Sequence, residues 1–180
     1  MDNRTAQPPL LFEQVCAAPE GRGMPGVRNL DWRVDRGQWV LVRAEAHRRL
    51  LPFADLAQGR REPDTGRVLF EGKDWPLFTP DEAAAARGRI GRVFAGTAWV
   101  GNLDVDENVT LARRHHGRQP QAALREEAEA LARRFGLEAL PAARPAWVNR
   151  RNLQRAQWVR AWRGRPDLLW LEFPGEHTAQ

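Results

Sequence analysis

The stretch of sequence that decides the fold is PDTGRVLFEG, residues 63–72. Proline, aspartate and glycine within residues 62–66 are typical of a tight turn, because proline presets one backbone angle and glycine accepts a positive φ. Residues 67–70 are mostly apolar and β-forming, which predicts a strand that ends at Glu71 and Gly72. The pattern therefore predicts a tight turn that leads directly into a β-strand.

The chain before this stretch is predicted to form strands and then one helix. Residues 10–15 and 29–34 favour strands. Residues 38–42, QWVLV, are a short apolar run that predicts a buried strand. A helix is expected over residues 48–57, because its apolar positions recur at helical spacing and Gly59 follows as a stop signal.

The chain beyond residue 72 is predicted to alternate helices and strands and to include a helical middle segment. Helices are expected at 80–87, over 106–135 in two pieces separated near 117–120, and at 152–163, and strands at 90–94 and 168–171. This order predicts an α/β core with an antiparallel β side and a helical insertion. Trp39, Trp162 and Trp170 are expected in the core.

Length and composition indicate a globular protein. The chain has 180 residues, of which 42% are hydrophobic and 28% charged, as is typical of one domain. No apolar run approaches the roughly 18 residues that cross a bilayer, and the first residues do not resemble a secretory signal. Cys16 is the single cysteine, so an internal disulfide and a cysteine-based metal cluster are excluded. These features lead us to expect a cytoplasmic protein.

The formal net charge is +5, and Lys73 is the only lysine among 28 basic residues. An arginine-rich surface can bind phosphates or nucleic acid. The arginines are, however, spread along the chain and accompanied locally by acidic residues. This distribution favours an ordinary solvated surface, and a nucleic-acid partner is not expected.

Four segments, in this order and spacing, resemble the ATP-binding subunit of an ABC transporter. Residues 63–72 match a phrase of the family, PDxGxVxxxG, and residues 37–59 fit its strand, phosphate loop and helix without a gap. Residues 90–109 resemble the Q-loop stretch, residues 154–161 the helix after the LSGGQ signature, and residues 166–174 the Walker B stretch. The resemblance runs from about Leu10 to Pro174.

The resemblance implies an α/β fold, a P-loop NTPase-like ABC ATPase core with an antiparallel β side and a helical subdomain. It implies one degenerate nucleotide-binding domain over residues 1–180, with about 10–94 and 148–174 as core and about 95–147 as helical insertion. The chain ends at Gln180, before the position of the family's switch histidine, so we expect a C-terminally truncated member.

The positions that would bind phosphates in this family are occupied by unsuitable residues. ATP hydrolysis needs glycines that let backbone N–H groups surround the phosphates, a lysine, and a hydroxyl for Mg²⁺. Alignment by spacing places a leucine at the lysine position and another at the hydroxyl position. The degenerate Walker A positions are Ala44, His47, Arg48, Arg49, Leu50 and Leu51.

The remaining chemical positions are also substituted. The Q-loop glutamine becomes Ala95, and the general base becomes Phe173, which cannot accept a proton. The metal-orienting aspartate becomes Glu172, a milder change. At the signature, the family's serine and glycines give way to other residues, namely Asn149, Arg150 and Arg151. Because losing a positioned base alone costs roughly 10²–10⁴ in rate, we expect no catalytic residue and no ATP hydrolysis.

We therefore expect a pseudo-ATPase that is a structural or regulatory partner of a membrane transporter. Its partners would be a permease, an active ATP-binding subunit, or both, and it would lie at the inner face of the membrane through a permease. Trp99, in the glycine-containing loop 95–102, is either an exposed interface anchor or a partly buried core residue. No metal or cofactor is expected, and ATP with Mg²⁺ only if the degenerate site still binds it.

Two other functions stay open on the sequence alone. The arginines at 43–49 and 150–151 can hold a phosphate without a glycine-rich loop, which would make the chain a phosphate- or nucleic-acid-binding module. The simpler interpretation is that they are solvated charges. The other function is an ABC transporter ATPase with unusual chemistry.

Overall fold

A computed structural model describes residues 7–19, 26–42, 52–96, 98–116 (backbone only at 115 and 116) and 120–172 of the chain. The chain divides into two compact units, residues 1–87 and 88–180. The prediction of one domain with a helical insertion at about 95–147 stays a prediction.

The first unit is built on an antiparallel sheet whose strand order is β2-β1-β3-β4. Its strands are β1 (Leu10–Ala17), β2 (Val27–Val34), β3 (Thr65–Phe70) and β4 (Lys73–Asp74). Leu10 of β1 pairs with Val34 of β2 on one side and with Phe70 of β3 on the other. Leu10 and Phe70 are fully buried. The strands predicted at 10–15, 29–34 and 67–70 are confirmed with small extensions.

The turn before β3 is held by its own polar groups. The Asp64 carboxylate accepts a hydrogen bond from the Ala18 N–H at 2.6 Å, and the Asp64 N–H donates to the Cys16 carbonyl at 2.8 Å. Gly66 has φ +81°, and a Cβ there would lie 2.4 Å from the carbonyl oxygens of Glu13 and Gln14. Only glycine fits this position without strain. The turn that the sequence predicts therefore packs directly against β1.

Two helices complete the first unit, α1 (Phe53–Ala57) and α2 (Pro80–Arg87). At the start of α2, the Glu82 carboxylate accepts from the Thr79 N–H at 2.9 Å, and the Thr79 hydroxyl accepts from the Glu82 N–H at 3.3 Å. This reciprocal pair is a capping box, which satisfies two N–H groups that the helix leaves without partners. The Lys73 ammonium also contacts Glu82, at 2.7 Å.

The second unit combines two parallel strands with three helices. The strands are β5 (Ile90–Val93) and β6 (Leu168–Leu171), and the helices are α3 (Val105–His116), α4 (Gln121–Arg134) and α5 (Arg150–Trp162). One buried apolar cluster joins the helices: Val105, Val109, Ala128, Ala132, Leu137, Leu140, Ala156 and Val159. The predicted helices and the final strand are thus confirmed. No helix in the described ranges is long and apolar enough to span a membrane.

The expected buried strand at residues 38–42 is wrong. These residues form no strand, and the side chains of Trp39 and Leu41 are 87% and 79% exposed. A turn redirects the chain just before them, since the Gln38 N–H donates to the Asp35 carbonyl at 3.1 Å. An apolar run becomes a strand only where a neighbouring strand accepts its backbone hydrogen bonds, and none in the described part of the chain pairs with it.

The expectation of core tryptophans is wrong for Trp39 and only partly met for Trp162 and Trp170. Trp170 is half-buried in β6, whereas Trp162, at the last position of α5, is 39% exposed. Trp162 makes an edge contact with Phe135, with 6.3 Å between ring centroids. A large indole at the end of a helix can cover a core from its rim without being enclosed by it.

Candidate functional site

The described residues contain only part of the site that the sequence predicts. All six Walker A positions (Ala44, His47, Arg48, Arg49, Leu50 and Leu51) and the base position Phe173 lie outside them. The second unit contains the remaining predicted positions: Ala95, Trp99, Asn149, Arg150, Arg151 and Glu172.

The parallel pair of strands brings Ala95 and Glu172 together. Val93, at the end of β5, is in register with Leu171, at the end of β6. The Glu172 N–H continues the ladder by donating to the Val93 carbonyl at 2.9 Å. Because parallel strands end at the same edge, the residues that follow each strand meet there.

The Glu172 carboxylate is engaged through both oxygens. Its Oε1 accepts from the Arg92 guanidinium, with Nε at 2.8 Å and Nη2 at 2.6 Å. Its Oε2 accepts from the backbone N–H of Ala95 at 3.1 Å. The two charged side chains are only 18% and 13% exposed, so the pair is largely shielded from water. The carboxylate therefore ties the end of β6 to the segment that follows β5.

This arrangement does not fit a Mg²⁺ site. Mg²⁺ requires oxygen ligands in near-octahedral geometry, and it is held in P-loop enzymes by a hydroxyl and an acidic residue. Here the acidic side chain is neutralised by Arg92, and the position expected to supply the hydroxyl is Leu51 in the sequence. A cation at Glu172 would have to displace the guanidinium. No grouping of three or more potential metal ligands occurs among the described residues.

The segment after β5 has a second anchor, on α5. The Gln157 side chain accepts from the Phe94 N–H at 3.1 Å and donates to the Gly96 carbonyl at 3.2 Å. Gln157 is 6% exposed. Ala95, between these two contacts, offers only a methyl group beyond its backbone. The loop is thus fixed by Glu172 and Gln157, without the side-chain amide that the family has at this position.

Sequence reasoning missed Arg92 and Gln157. Arg92 is a charged residue in the interior of an otherwise mostly apolar predicted strand, and such a charge needs a partner of opposite sign if the strand is buried. The acidic residue that directly follows the last strand was the available candidate. Gln157 lies in the predicted helix, next to buried Ala156 and one turn before buried Ala161. Its polar amide therefore also needed a hydrogen-bond partner. Both signals were present in the sequence.

Asn149, the residue predicted to occupy the signature position, is a helix cap. The Asn149 side chain accepts a hydrogen bond from the Asn152 N–H at 2.9 Å and begins α5. Asparagine is among the preferred residues at this position. Arg150 and Arg151 occupy the first turn of the helix and are exposed. The helix therefore begins earlier than the predicted residue 152.

Trp99 packs against the apolar cluster of the helices and is half-buried. The Arg160 guanidinium lies over its indole, 4.6 Å from the ring centroid. The structure thus agrees with the partly buried alternative for this residue. Its role as a partner contact stays a prediction.

No protein-family model matches the chain. Individual proteins do match it. It is 30% identical over 144 residues to the uncharacterized ABC transporter ATP-binding protein YbbA of Escherichia coli K12, covering 78% of this chain and 62% of that protein. It is 25% identical over 146 residues to the intermembrane phospholipid transport system ATP-binding protein MlaF of Haemophilus influenzae, covering 81% of this chain and 55% of that protein.

A third relative is the spermidine/putrescine import ATP-binding protein PotA of Frankia alni, 28% identical over 170 residues. That match covers 92% of this chain and 35% of PotA. The chain therefore spans about half the length of the curated relatives it matches, between 35% and 62% in these three.

Among solved structures, the chain superposes on the ATP-binding cassette MJ0796 in a post-hydrolysis dimer bound to ADP and Pi. The TM-score is 0.79 at 18% identity, and the match covers 93% of this chain and 75% of that one. A second dimeric structure of the same cassette gives a TM-score of 0.77 at 17% identity. The predicted fold class, a P-loop NTPase-like ABC ATPase core, is confirmed. The chain is therefore a relative of the ABC transporter ATP-binding proteins and has the fold of their ATP-binding cassette.

Proposed function

We propose that this chain is an ABC-type ATP-binding subunit without ATPase activity, and that it acts as a structural or regulatory partner in a membrane transporter. The observation that carries the proposal is the use of Glu172. The acidic residue at the metal-orienting position is paired with Arg92 and with the backbone of Ala95. It therefore serves to hold two strand ends together.

The substitutions outside the described residues support the same conclusion. Leu50 and Leu51 have neither the charge nor the hydroxyl that phosphoryl transfer requires, and Phe173 has no group to accept a proton. Each of these losses affects a different part of the reaction. Restoring any one residue would not restore hydrolysis, because the other steps would still lack their groups.

The relatives supply the transporter part of the proposal. Three proteins described as ATP-binding components of transport systems match most of this chain. Such a component without ATPase activity would still pack against a permease, against an active ATP-binding subunit, or against both. We place it in the cytoplasm, held at the membrane by that permease.

An exposed aromatic residue in the second unit offers a contact for this partner. Trp147, in a short 3₁₀ turn just before α5, is 82% exposed, in contrast to half-buried Trp99. Exposed tryptophans are favoured as anchors of protein interfaces. We therefore expect Trp147 to contribute more to partner binding than Trp99.

Two measurements on the full chain test the proposal. The first is ATP turnover with and without Mg²⁺, which we expect at background level. Turnover that depends on Mg²⁺ and is lost in Glu172→Gln contradicts the absence of activity.

The second measurement is co-purification with the products of adjacent genes. We expect a stable complex with a permease or an ATP-binding subunit, weakened at least tenfold by Trp147→Ala and unchanged by Arg134→Ala, a change at an exposed charged position of α4. A chain that purifies alone, as a monomer with no partner, contradicts the structural or regulatory role.

A further inference from the structure

The second unit contains a cavity of about 400 Å³, and its lining includes none of the predicted nucleotide-site residues that the structure describes. It lies between the loop at Ala98–Val100, the middle of α3 and the end of α5, and Arg113, Arg160 and Arg163 line it. The rest of its wall is apolar except for Asn108. Its volume is within the range of small-molecule sites, roughly 300–1,000 Å³.

The charge in this cavity is not balanced from within. Three arginines line it, and none of the described residues that line it is acidic. The carboxylate whose charge acts on Arg163 is that of Glu127, on the exposed face of α4. Asn108 is occupied elsewhere, since its amide donates to the carbonyls of Val100, Leu103 and Asp104.

Two of the arginines keep buried donors without an acceptor in the described part of the chain. Arg163 is 8% exposed and donates through Nη1 to the Val109 carbonyl at 3.2 Å and through Nη2 to the Leu124 carbonyl at 3.3 Å, but its Nε has no partner. Arg160 donates through Nη1 to the Ala98 carbonyl at 2.5 Å, but its Nη2 has none. Buried donors of this kind are rare and costly in native proteins.

A third donor of the same kind belongs to the neighbouring loop. The indole Nε1 of Trp99 is buried and also without an acceptor among the described residues. The ring of Trp99 lies under Arg160, so these two donors belong to one cluster. Burial lowers the pKa of the Arg160 guanidinium to about 10 because the charged form is desolvated.

We propose that this cavity binds a small organic oxyanion, a carboxylate or phosphate monoester with a short apolar group. The oxyanion would accept from the guanidinium groups of Arg160 and Arg163, whose planar forks suit both carboxylate and phosphate oxygens. The short apolar group would lie against Val100 and Val109. This site is separate from Ala95 and Glu172 and does not depend on the proposed function.

The test uses the Trp99 indole N–H as a reporter in ¹H–¹⁵N spectra of the full chain, in a buffer free of oxyanions. Its resonance is assigned as the one that disappears in Trp99→Phe. Inorganic phosphate, butyrate and butyl phosphate are titrated, with butylammonium as a cation of similar size. We expect a saturable shift with butyrate, butyl phosphate or both at a Kd of about 1 mM or tighter, and none with butylammonium.

Arg160→Gln should weaken this binding at least tenfold, whereas Arg134→Gln, the same change at an exposed position of α4, should leave it within twofold. If Arg160→Gln does not fold, Ala112→Leu reduces the volume of the cavity from its wall and should weaken binding to a similar extent. The proposal is overturned if neither organic anion gives a saturable shift, or if butylammonium gives an equal response. It is also overturned if a folded Arg160→Gln or Ala112→Leu variant still binds within twofold of the original chain. A response to inorganic phosphate alone overturns the apolar part of the ligand.

Discussion

The turn before β3 and the strand ends around Glu172 differ in how closely their residues match the sequence pattern of the family. In the turn, Asp64 and Gly66 match the family phrase, and each makes a contact that the backbone needs. At the strand ends, Ala95 and Glu172 lie where the resemblance leads us to expect glutamine and aspartate, and Glu172 is paired with Arg92. The difference indicates that in this chain Asp64 and Gly66 shape the backbone of a turn, whereas Glu172 contributes to local stability through its ion pair.

Gly66 provides the largest expected effect. Gly66→Ala should lower the free energy of unfolding by about 3 kcal/mol, because the new Cβ meets two carbonyl oxygens in a left-handed backbone conformation. Gly37→Ala is the matched control, since Gly37 has φ +72° but open space around it, and it should cost about 1 kcal/mol. Chemical denaturation measures both. Equal losses at the two positions would show that packing of the turn against β1 does not matter.

The ion pair at the strand ends comes next. Removing one partner, in Arg92→Ala or Glu172→Ala, should cost about 2–3 kcal/mol, because the other charge remains largely buried. A double-mutant cycle should give a coupling energy of about 1–2 kcal/mol.

The control for this cycle is the exposed pair Arg33 and Asp35, whose side chains are 56% and 53% exposed. Its coupling should be at most about 0.5 kcal/mol. If the two cycles give the same coupling energy, the ion pair of Glu172 and Arg92 does not stabilise the strand ends more than an exposed ion pair would.

Asn149 tests the same idea at the signature position. Asn149→Ala should lower the free energy of unfolding by about 1 kcal/mol, because the Asn152 N–H loses its acceptor. Asn149→Ser returns the family's residue and should stay within a few tenths of a kcal/mol of the original chain, because serine is an equally good cap. Thermal denaturation of the original chain and the two variants measures this effect. If Asn149→Ala is as stable as the original chain, Asn149 does not stabilise the start of α5.

The smallest expected effect concerns acid stability in the first unit. Hydrogen bonds from Lys73 and then from Thr79 lower the pKa of the Glu82 carboxyl below its usual 4.5. A carboxyl whose pKa is depressed in the folded protein stabilises it above the unfolded pKa, and this contribution is lost as the pH falls through the folded pKa. Stability should therefore decrease below about pH 4.5 more steeply in the original chain than in Glu82→Gln. Parallel slopes in acid denaturation would contradict the hydrogen bonds that Lys73 and Thr79 donate to this carboxylate.

The comparison also explains how much the sequence could predict. Gly66 and Asp64 predict a turn, and the helical spacing of apolar residues before Gly136 predicts α4. Both predictions succeed because turns and helices are determined by residues close together in the sequence. The prediction of a buried strand at residues 38–42 was wrong, because a strand depends on hydrogen-bond partners that lie far away in the sequence. The contacts of Glu172 with Ala95 and with Arg92 were not predicted, because they join residues 77 and 80 positions apart in the chain. The cavity beside Arg160 and Arg163 was not predicted, because it forms only where α3, α5 and the Trp99 loop meet.

The central claim is that the carboxylate of Glu172 is a structural partner of Arg92 and holds no metal. Isothermal titration of the full chain with ATP, with and without Mg²⁺, tests it most directly. The account predicts the same heat in both titrations, with no binding component that depends on Mg²⁺. A Mg²⁺-dependent component that disappears in Glu172→Gln and persists in Arg134→Gln would contradict it.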